Sequence, residues 1–461
     1  MAVYTLREVL PGETVLATLR RLGVAVDAPC GGRGTCRKCT VMVDGVPVLA
    51  CETLARAEMV VQVQTAPEEI HSAPLTDIPA AVAVDLGTTS ITVAAVNADG
   101  RILAQCTQMN AQRSFGADVI ARIQAANAGD LSALRDCVRG QLEGMARALL
   151  GAQSVPTTAV AGNTVMLHLL FGAPCAGLGT YPYAPAFLDA QCAEGSDFGW
   201  TWTRKVCTPP GLHSFCGADI TAGLLSLADA PPPFLLADLG TNAELALVTV
   251  DGILCTSAAA GPVFEGAGIA CGMPALPGAL SRVQILGTRV QTETIGGEPP
   301  TGICASGLVD ALAELRRSYQ LTADGTLRQD FPLAPNVVLT QADVRAFQIG
   351  KAAVATGIAL LCDAAKLRPA ELQALFVAGS LGSALRTQNA IRLGLFPPQT
   401  ALTAIGNSAL RGAIAYALDE NARARAARIA ARAQYLDLAL MPDFSEKLLQ
   451  QMDFPTREAQ P

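Results

Sequence analysis

The chain has 461 residues, of which 51% are hydrophobic and 16% charged, with a formal net charge of -7. That length divides into roughly two to four domains, the apolar share argues against a disordered chain, and the acidic balance leaves no electrostatic footprint for nucleic acid. No apolar run reaches eighteen residues and no basic stretch follows Met1, so neither a membrane partner nor a leader is expected, and the chain reads as soluble and cytoplasmic.

Residues 2–8 are strand-like, and Gly12-Glu13-Thr14 opens an amphipathic helix in which Val15, Leu16, Leu19 and Leu22 recur at helical spacing until Gly23 stops it. A cysteine loop follows, Cys30-Gly31-Gly32-Arg33-Gly34-Thr35-Cys36-Arg37-Lys38-Cys39, with Cys51 further on. The spacing is C-x5-C-x2-C-x11-C. A [2Fe–2S] cluster needs four thiolates, and glycines let backbone N–H groups approach its sulfides. Structural zinc is the alternative, but it favours paired C-x2-4-C knuckles and only one such pair is present. Cys39 to Val43 and Met59 to Gln64 then alternate as strands, with Asp44-Gly45 as a hairpin turn.

The loop resembles the [2Fe–2S] ferredoxins, including Leu49-Ala50-Cys51, which carries the last ligand. Five residues rather than four separate the first two cysteines, and the fourth lies closer than in that family. The resemblance implies a small α+β module of β-grasp type over residues 1–65, with Cys30, Cys36, Cys39 and Cys51 as metal ligands.

Residues 66–79 contain three prolines and no periodicity, which predicts a stiff linker. Beyond it, Ala81 to Asp85 is a strand running into Leu86-Gly87-Thr88-Thr89, followed by two further strands around Asp99-Gly100. The design recurs at Phe234 to Asp238, Leu239-Gly240-Thr241-Asn242, with Asp251-Gly252 as the later turn. The two copies lie 153 residues apart, which marks an internal duplication. A strand ending in such a turn wraps a phosphate: glycine permits close approach, hydroxyl and N–H groups donate to the oxygens, and the aspartate holds hydrated Mg²⁺. On the second strand, Glu244 is placed either to orient water or the metal, or to face solvent. Glu265 sits in a glycine-rich stretch suited to close backbone approach, and His168 lies at helical spacing as a core histidine would.

The paired loops resemble the fold shared by acetate and sugar kinases, heat-shock chaperone ATPases and actin. That resemblance implies an α/β, two-lobed ATPase of duplicated RNase H-like halves, residues 80–232 and 233–461. ATP with Mg²⁺ would be held by catalytic Asp85, Asp238 and Glu244 and by Gly87, Thr88, Thr89, Gly240, Thr241 and Asn242. Leu375-Phe376-Val377-Ala378-Gly379-Ser380 resembles the adenosine motif, with Ser380 where a second glycine is usual.

Further stretches narrow the family: Ala161-Gly162-Asn163-Thr164, Gly261-Pro262-Val263-Phe264-Glu265-Gly266, Gly302-Ile303-Cys304-Ala305-Ser306-Gly307 and Gly406-Asn407-Ser408. They resemble the reductive activators of corrinoid proteins. The resemblance implies one-electron reduction of Co(II) to Co(I), driven by ATP, on a corrinoid protein of a methyltransferase system. A reductant such as a ferredoxin or flavodoxin, and a homodimer, are implied with it. An electron donor to another low-potential enzyme and a nucleotide-binding redox sensor without turnover are the competing readings. The ten remaining cysteines lack ligand spacing and read as small core residues. An alanine-rich helix at about 410–433 carries a basic stripe, Arg425, Arg428 and Arg432 with Arg423 beside it.

Overall fold

The structure, a computed structural model, describes residues 2–456 other than 25, 29, 64–68, 72–76, 241, 288 and 399, and leaves aside the side chains of 69–71, 380 and 383. The chain forms two compact units, Met1–Ser226 with Ala409–Ala431, and Leu227–Ser408 with Arg432–Pro461.

The first unit begins with a helix, Val15–Arg21, whose Thr14 hydroxyl caps the Ala17 N–H. It packs on a four-stranded sheet in the order Ala2–Leu6, Met59–Val63, Thr40–Val43, Val46–Leu49. Asp44 and Gly45 both have positive φ (50° and 83°), the backbone of the tight hairpin turn that the sequence predicts. Leu6, Leu16, Leu19, Val41 and Val61 fill the small core.

The larger sheet runs Gln191–Glu194, Thr203–Thr208, Val155–Gly162, Ala81–Leu86, Ser90–Val96, Ile102–Met109, Glu69–His71. Its last strand falls inside the segment read as a linker, where it pairs antiparallel with Ile102–Met109. Proline at 67, 74 and 79 leaves residues 69–71 free to donate to an open sheet edge, which periodicity over three residues cannot reveal. Cys192 and Cys207, read from sequence as separate core residues, face each other across the ladder and form a disulfide.

Strand Ala81–Leu86 is apolar on both sides because both sides are covered. Val82, Val84 and Leu86 meet Leu134, Val138 and Leu142 of the helix Leu131–Leu150, whereas Ala81, Ala83, Ala159 and Ala161 meet Ala413, Tyr416 and Ala417. The second face is lined with alanine, so the covering helix comes close. A Cβ on Gly412 would lie 1.9 Å from the Ala222 carbonyl oxygen. Gly412→Ala is therefore expected to destabilise the first unit by about 3 kcal/mol, the upper range for overpacking, read as a lowered urea midpoint; an unchanged midpoint would mean that the helices do not meet there.

The basic stripe lies on this covering segment, which is two helices, Ser408–Leu418 and Glu420–Arg432, rather than one. Asp419 breaks the run by accepting from the Asn421 N–H at 2.8 Å, and Arg423 donates to the carbonyls of Tyr416 and Ala417, closing the first helix. Arg425 and Arg428 are exposed.

The second unit repeats the plan: Leu402–Gly406, Ala374–Ala378, Phe234–Leu239, Ala243–Val248, Ile253–Ala258, Ala433–Tyr435. In both sheets the strand before the phosphate loop has the next strand in sequence antiparallel on one side and a later, parallel strand on the other. The 24-residue helix Gln341–Ala364, started by a Thr340/Asp343 capping box, buries Phe347, Val354, Ile358 and Leu361 in that unit's core.

Candidate functional site

The cysteine loop is held open by left-handed backbone at Gly31, Gly32 and Gly34 (φ 69°, 93° and 74°), with Arg37 also at positive φ. Its four sulfurs come together as two pairs, Cys30 with Cys36 and Cys39 with Cys51, each 3.3 Å apart between Sγ atoms. A tetrahedral metal bound by thiolates at about 2.3 Å holds two of them within about 4 Å of each other, so two such pairs suit a two-iron cluster. Cys51, the candidate ligand farthest from the ferredoxin spacing, is thus brought to Cys39. As bare thiols Cys30 and Cys51 are shifted in opposite directions. Burial raises Cys30, but hydrogen bonds from the backbone of Cys36 and Gly32 outweigh it and bring the group down to about 6. Burial and the neighbouring Cys39 push Cys51 up to about 11. Positive irons would hold all four as thiolates, and the residues present fit that group.

In the first unit, Asp85, the penultimate residue of its strand, is in register with Thr92 on one side and Ala161 on the other. Gly87 leaves no room for a side chain, since a Cβ there would lie 2.6 Å from the Ser90 carbonyl oxygen. The loop is braced from behind. Asn163 donates to the Thr88 hydroxyl at 2.9 Å, Asn110 donates to the Gly87 carbonyl at 2.8 Å, and Arg122 donates to the Thr88 carbonyl at 2.6 Å. Thr89 accepts from the Asn110 N–H at 2.9 Å.

Sequence reasoning missed one carboxylate here. Asp219, in the first turn of helix Ala218–Leu225, lies within electrostatic reach of Asp85; burial, with the Asp85 charge adding to it, raises its carboxyl to about 7. Gly217, just before it, is pressed against Asn163, where a Cβ would lie 2.6 Å from Asn163 Cα. The only available signal was an aspartate within the otherwise apolar Ala218-Asp219-Ile220-Thr221-Ala222. The folded value lies above the ordinary 3.8, so the protonated acid stabilises the fold at low pH and that contribution is lost as pH rises toward about 7. Without Mg²⁺ and nucleotide, Asp219→Asn should raise the melting temperature at about pH 8 by a few degrees and flatten its fall between about pH 4 and 7. Scanning calorimetry checks this; an unchanged profile would mean that Asp219 does not bury a charge.

In the second unit, Asp238 and Glu244 sit directly opposite each other in the ladder, so their side chains share one face at a Cβ separation of about 5 Å. Glu244, half-buried, is thus placed on the same face as the loop aspartate. The Gly240 N–H donates to the Asn242 carbonyl at 2.9 Å, closing the turn, and a Cβ on Gly240 would lie 3.9 Å from Glu265 Oε1, which brings Glu265 to the loop. Gly379 has φ 86° and backs Asp238: a Cβ there would lie 3.4 Å from Asp238 Oδ1. The adenosine-like turn and the second phosphate loop are thereby neighbours. Ser380 follows in the helix Gly379–Ala384, its side chain outside the description, and Thr241 lies outside the described residues. His168 is a satisfied core histidine, hydrogen-bonded to the Thr164 carbonyl at 2.7 Å and the Ala186 N–H at 2.9 Å.

Residues 6–66 match the 2Fe-2S iron-sulfur cluster binding domain, residues 80–228 the RACo middle region, and residues 233–461 the C-terminal ASKHA domain of RACo. The corrinoid activation enzyme RamQ of Eubacterium limosum is 31% identical over 407 residues, covering 79% of this chain and 68% of that protein. A [Co(II) methylated amine-specific corrinoid protein] reductase of Methanosarcina barkeri is 30% identical over 227 residues, 42% of this chain and 40% of its own length. Among solved structures, a reductive activator for corrinoid, iron-sulfur protein superposes with a TM-score of 0.74 at 25% identity, covering 97% of this chain and 96% of that one. The chain belongs to the family of the reductive activators of corrinoid proteins, as an iron–sulfur oxidoreductase with a [2Fe–2S] domain and an ASKHA ATPase domain.

Proposed function

We propose that this chain uses ATP to reduce an inactive Co(II) corrinoid protein of a methyltransferase system to Co(I), one electron at a time. The observation that carries the reading is the meeting, within one compact unit, of four paired cysteine sulfurs and a braced phosphate loop. The names of the relatives, a corrinoid activation enzyme and a Co(II) corrinoid protein reductase, support the same substrate.

When bound, a [2Fe–2S] cluster supplies a one-electron carrier near about -400 mV and Mg-ATP supplies the driving force. Cys30, Cys36, Cys39 and Cys51 hold the carrier and set its charge. In the first unit Asp85 would hold hydrated Mg²⁺, with Gly87, Thr88 and Thr89 donating to phosphate oxygens; in the second unit Asp238 would serve the same purpose, with Gly240, Thr241 and Asn242 as the donors. Gly379 and Ser380 line the adenosine. Glu244, opposite Asp238 in the ladder, would orient the attacking water and take up its proton. Each ~59 mV that the electron climbs requires about 1.4 kcal/mol, which hydrolysis of ATP to ADP and phosphate can supply if the two nucleotide states hold the corrinoid partner with different affinity. A ferredoxin- or flavodoxin-class reductant restores the electron.

The test is anaerobic. The purified holoprotein, a low-potential reductant and a Co(II) corrinoid protein are mixed with and without Mg-ATP, and Co(I) is followed by its absorption. ATP-dependent Co(I), together with ATP hydrolysis that rises when the corrinoid protein is added, is expected. Equal Co(I) without ATP, or hydrolysis indifferent to the corrinoid protein, overturns the proposal.

A further inference from the structure

Arg122 is fully buried, and among the described residues no carboxylate pairs with it. Its guanidinium spends its donors on neutral acceptors: the Thr88 carbonyl at 2.6 Å, the Gly116 carbonyl at 3.0 Å, Gln112 Oε1 at 3.4 Å and Met166 Sδ at 3.0 Å. Burial brings the group down to about 9. A buried cation whose direct contacts are all neutral, with Asp118 acting on it only through space, is costly, and an anion at the Thr88 peptide would relieve that cost.

The same guanidinium grips the turn Asn110–Gly116, whose other side carries the cysteine module. Arg20, from the helix Val15–Arg21, donates to the Ser114 carbonyl and lies over the Phe115 ring, 4.7 Å from its centroid. Gly31, the residue after Cys30, is pressed on Phe115 so closely that a Cβ would lie 2.9 Å from its carbonyl oxygen. Arg113 pairs with Asp27 at 2.8 Å. Within the turn, the Phe115 N–H donates to the Gln112 carbonyl at 2.9 Å, and the Asn110 amide reaches back to the Gly87 carbonyl. An unbroken series of contacts thus runs from the phosphate loop through Arg122 and Gln112 to Phe115 and the cysteine loop, all inside one compact unit.

We infer that Arg122 and the turn Asn110–Gly116 are positioning elements that transmit nucleotide occupancy at Gly87–Thr89 to the cysteine loop, so that the readiness of the cluster to give up its electron depends on the nucleotide. This inference rests on the proposed reading that ATP binds the phosphate loop. Phosphate beside Thr88 draws the guanidinium and its peptide; the turn follows Arg122, and the seat under Gly31 and Arg20 moves with the turn. The route is local, needs no contribution from the second unit, and gives Arg20, a residue of the cysteine module, a partner that a ferredoxin-like domain by itself would lack.

The test poises the full-length holoprotein at a fixed potential near the cluster midpoint and reads the reduced cluster by electron paramagnetic resonance, with and without Mg²⁺ and a non-hydrolysable ATP analogue. Nucleotide is expected to lower the reduced-to-oxidised ratio on the order of fivefold, the lower end of coupling between two sites. The shift should vanish in Arg122→Gln and in Arg20→Met, while calorimetry shows the analogue still binding to Arg20→Met. Arg20→Met keeps the inference testable if Arg122→Gln does not fold. Analogue that binds wild type without moving the ratio, or a shift that survives in Arg20→Met, overturns the inference and leaves the proposed function standing. Failure of wild type to bind the analogue at all overturns both.

Discussion

Asp238→Asn should reduce ATP hydrolysis by about 10²–10³-fold, the range seen when one electrostatic contact to a developing charge is removed, while leaving the cluster spectrum as in wild type. The expectation follows from the ladder. Asp238 lies opposite Glu244 and against Gly379, so its carboxylate is the point where the second phosphate loop, the adenosine-like turn and a second carboxylate meet. Asparagine keeps the shape and removes a charge from a like-charged pair, so the fold should hold and the melting temperature should stay within a few degrees. Phosphate release measured at saturating Mg-ATP, beside calorimetry of nucleotide binding with and without Mg²⁺, separates lost turnover from lost affinity. Turnover within threefold of wild type would remove Asp238 from the metal site, and Asp85→Asn would then be the decisive comparison.

Cys51→Ser should abolish the [2Fe–2S] absorption and lower Co(I) formation at least about 100-fold, more than the 10–100-fold typical for groups that only support a metal ligand. Basal ATP hydrolysis should persist, because the phosphate loops are built from other strands. The pairing of Cys39 and Cys51 at 3.3 Å motivates this: without Cys51 one iron keeps a single protein thiolate. Anaerobic iron and sulfide analysis checks it. A variant that retains two irons and two sulfides per chain would show that Cys51 is not a ligand. Zinc in place of iron and sulfide in the wild-type protein would remove the electron-transfer role altogether.

The sequence made the two phosphate loops legible because a tight glycine turn after a buried strand leaves a short, recognisable pattern, and the pattern occurs twice. The cysteine loop was legible for the same reason, since ligands that close a loop must lie near one another in sequence. What escaped was what contacts these loops from a distance. Asp219 lies 134 residues after Asp85, and nothing local to it distinguishes a carboxylate within electrostatic reach of another from one facing water. Arg122 shares one helix with ordinary surface positions, and only the fold turns it beneath Thr88. Glu244 was half legible: its distance from Asp238 placed it on the next strand, but the register that sets the two opposite each other is fixed by the turn geometry. The strand Glu69–His71 was hidden because a three-residue edge strand between prolines has neither length nor alternation to reveal it.

The helices over residues 409–431 lie, in sequence, within the stretch matched to the C-terminal ASKHA domain, yet they cover the alanine-lined face of the sheet containing Asp85. The gene therefore cannot be cut where the domain matches meet. A fragment ending at residue 232 would expose Ala81, Ala83, Ala159 and Ala161 and lose the seat of Gly412, and its partner fragment would carry an orphaned apolar hairpin. Co-expressed, the two pieces would have to find each other by complementation, and the surface through which they would do so is the close contact between Gly412 and Ala222.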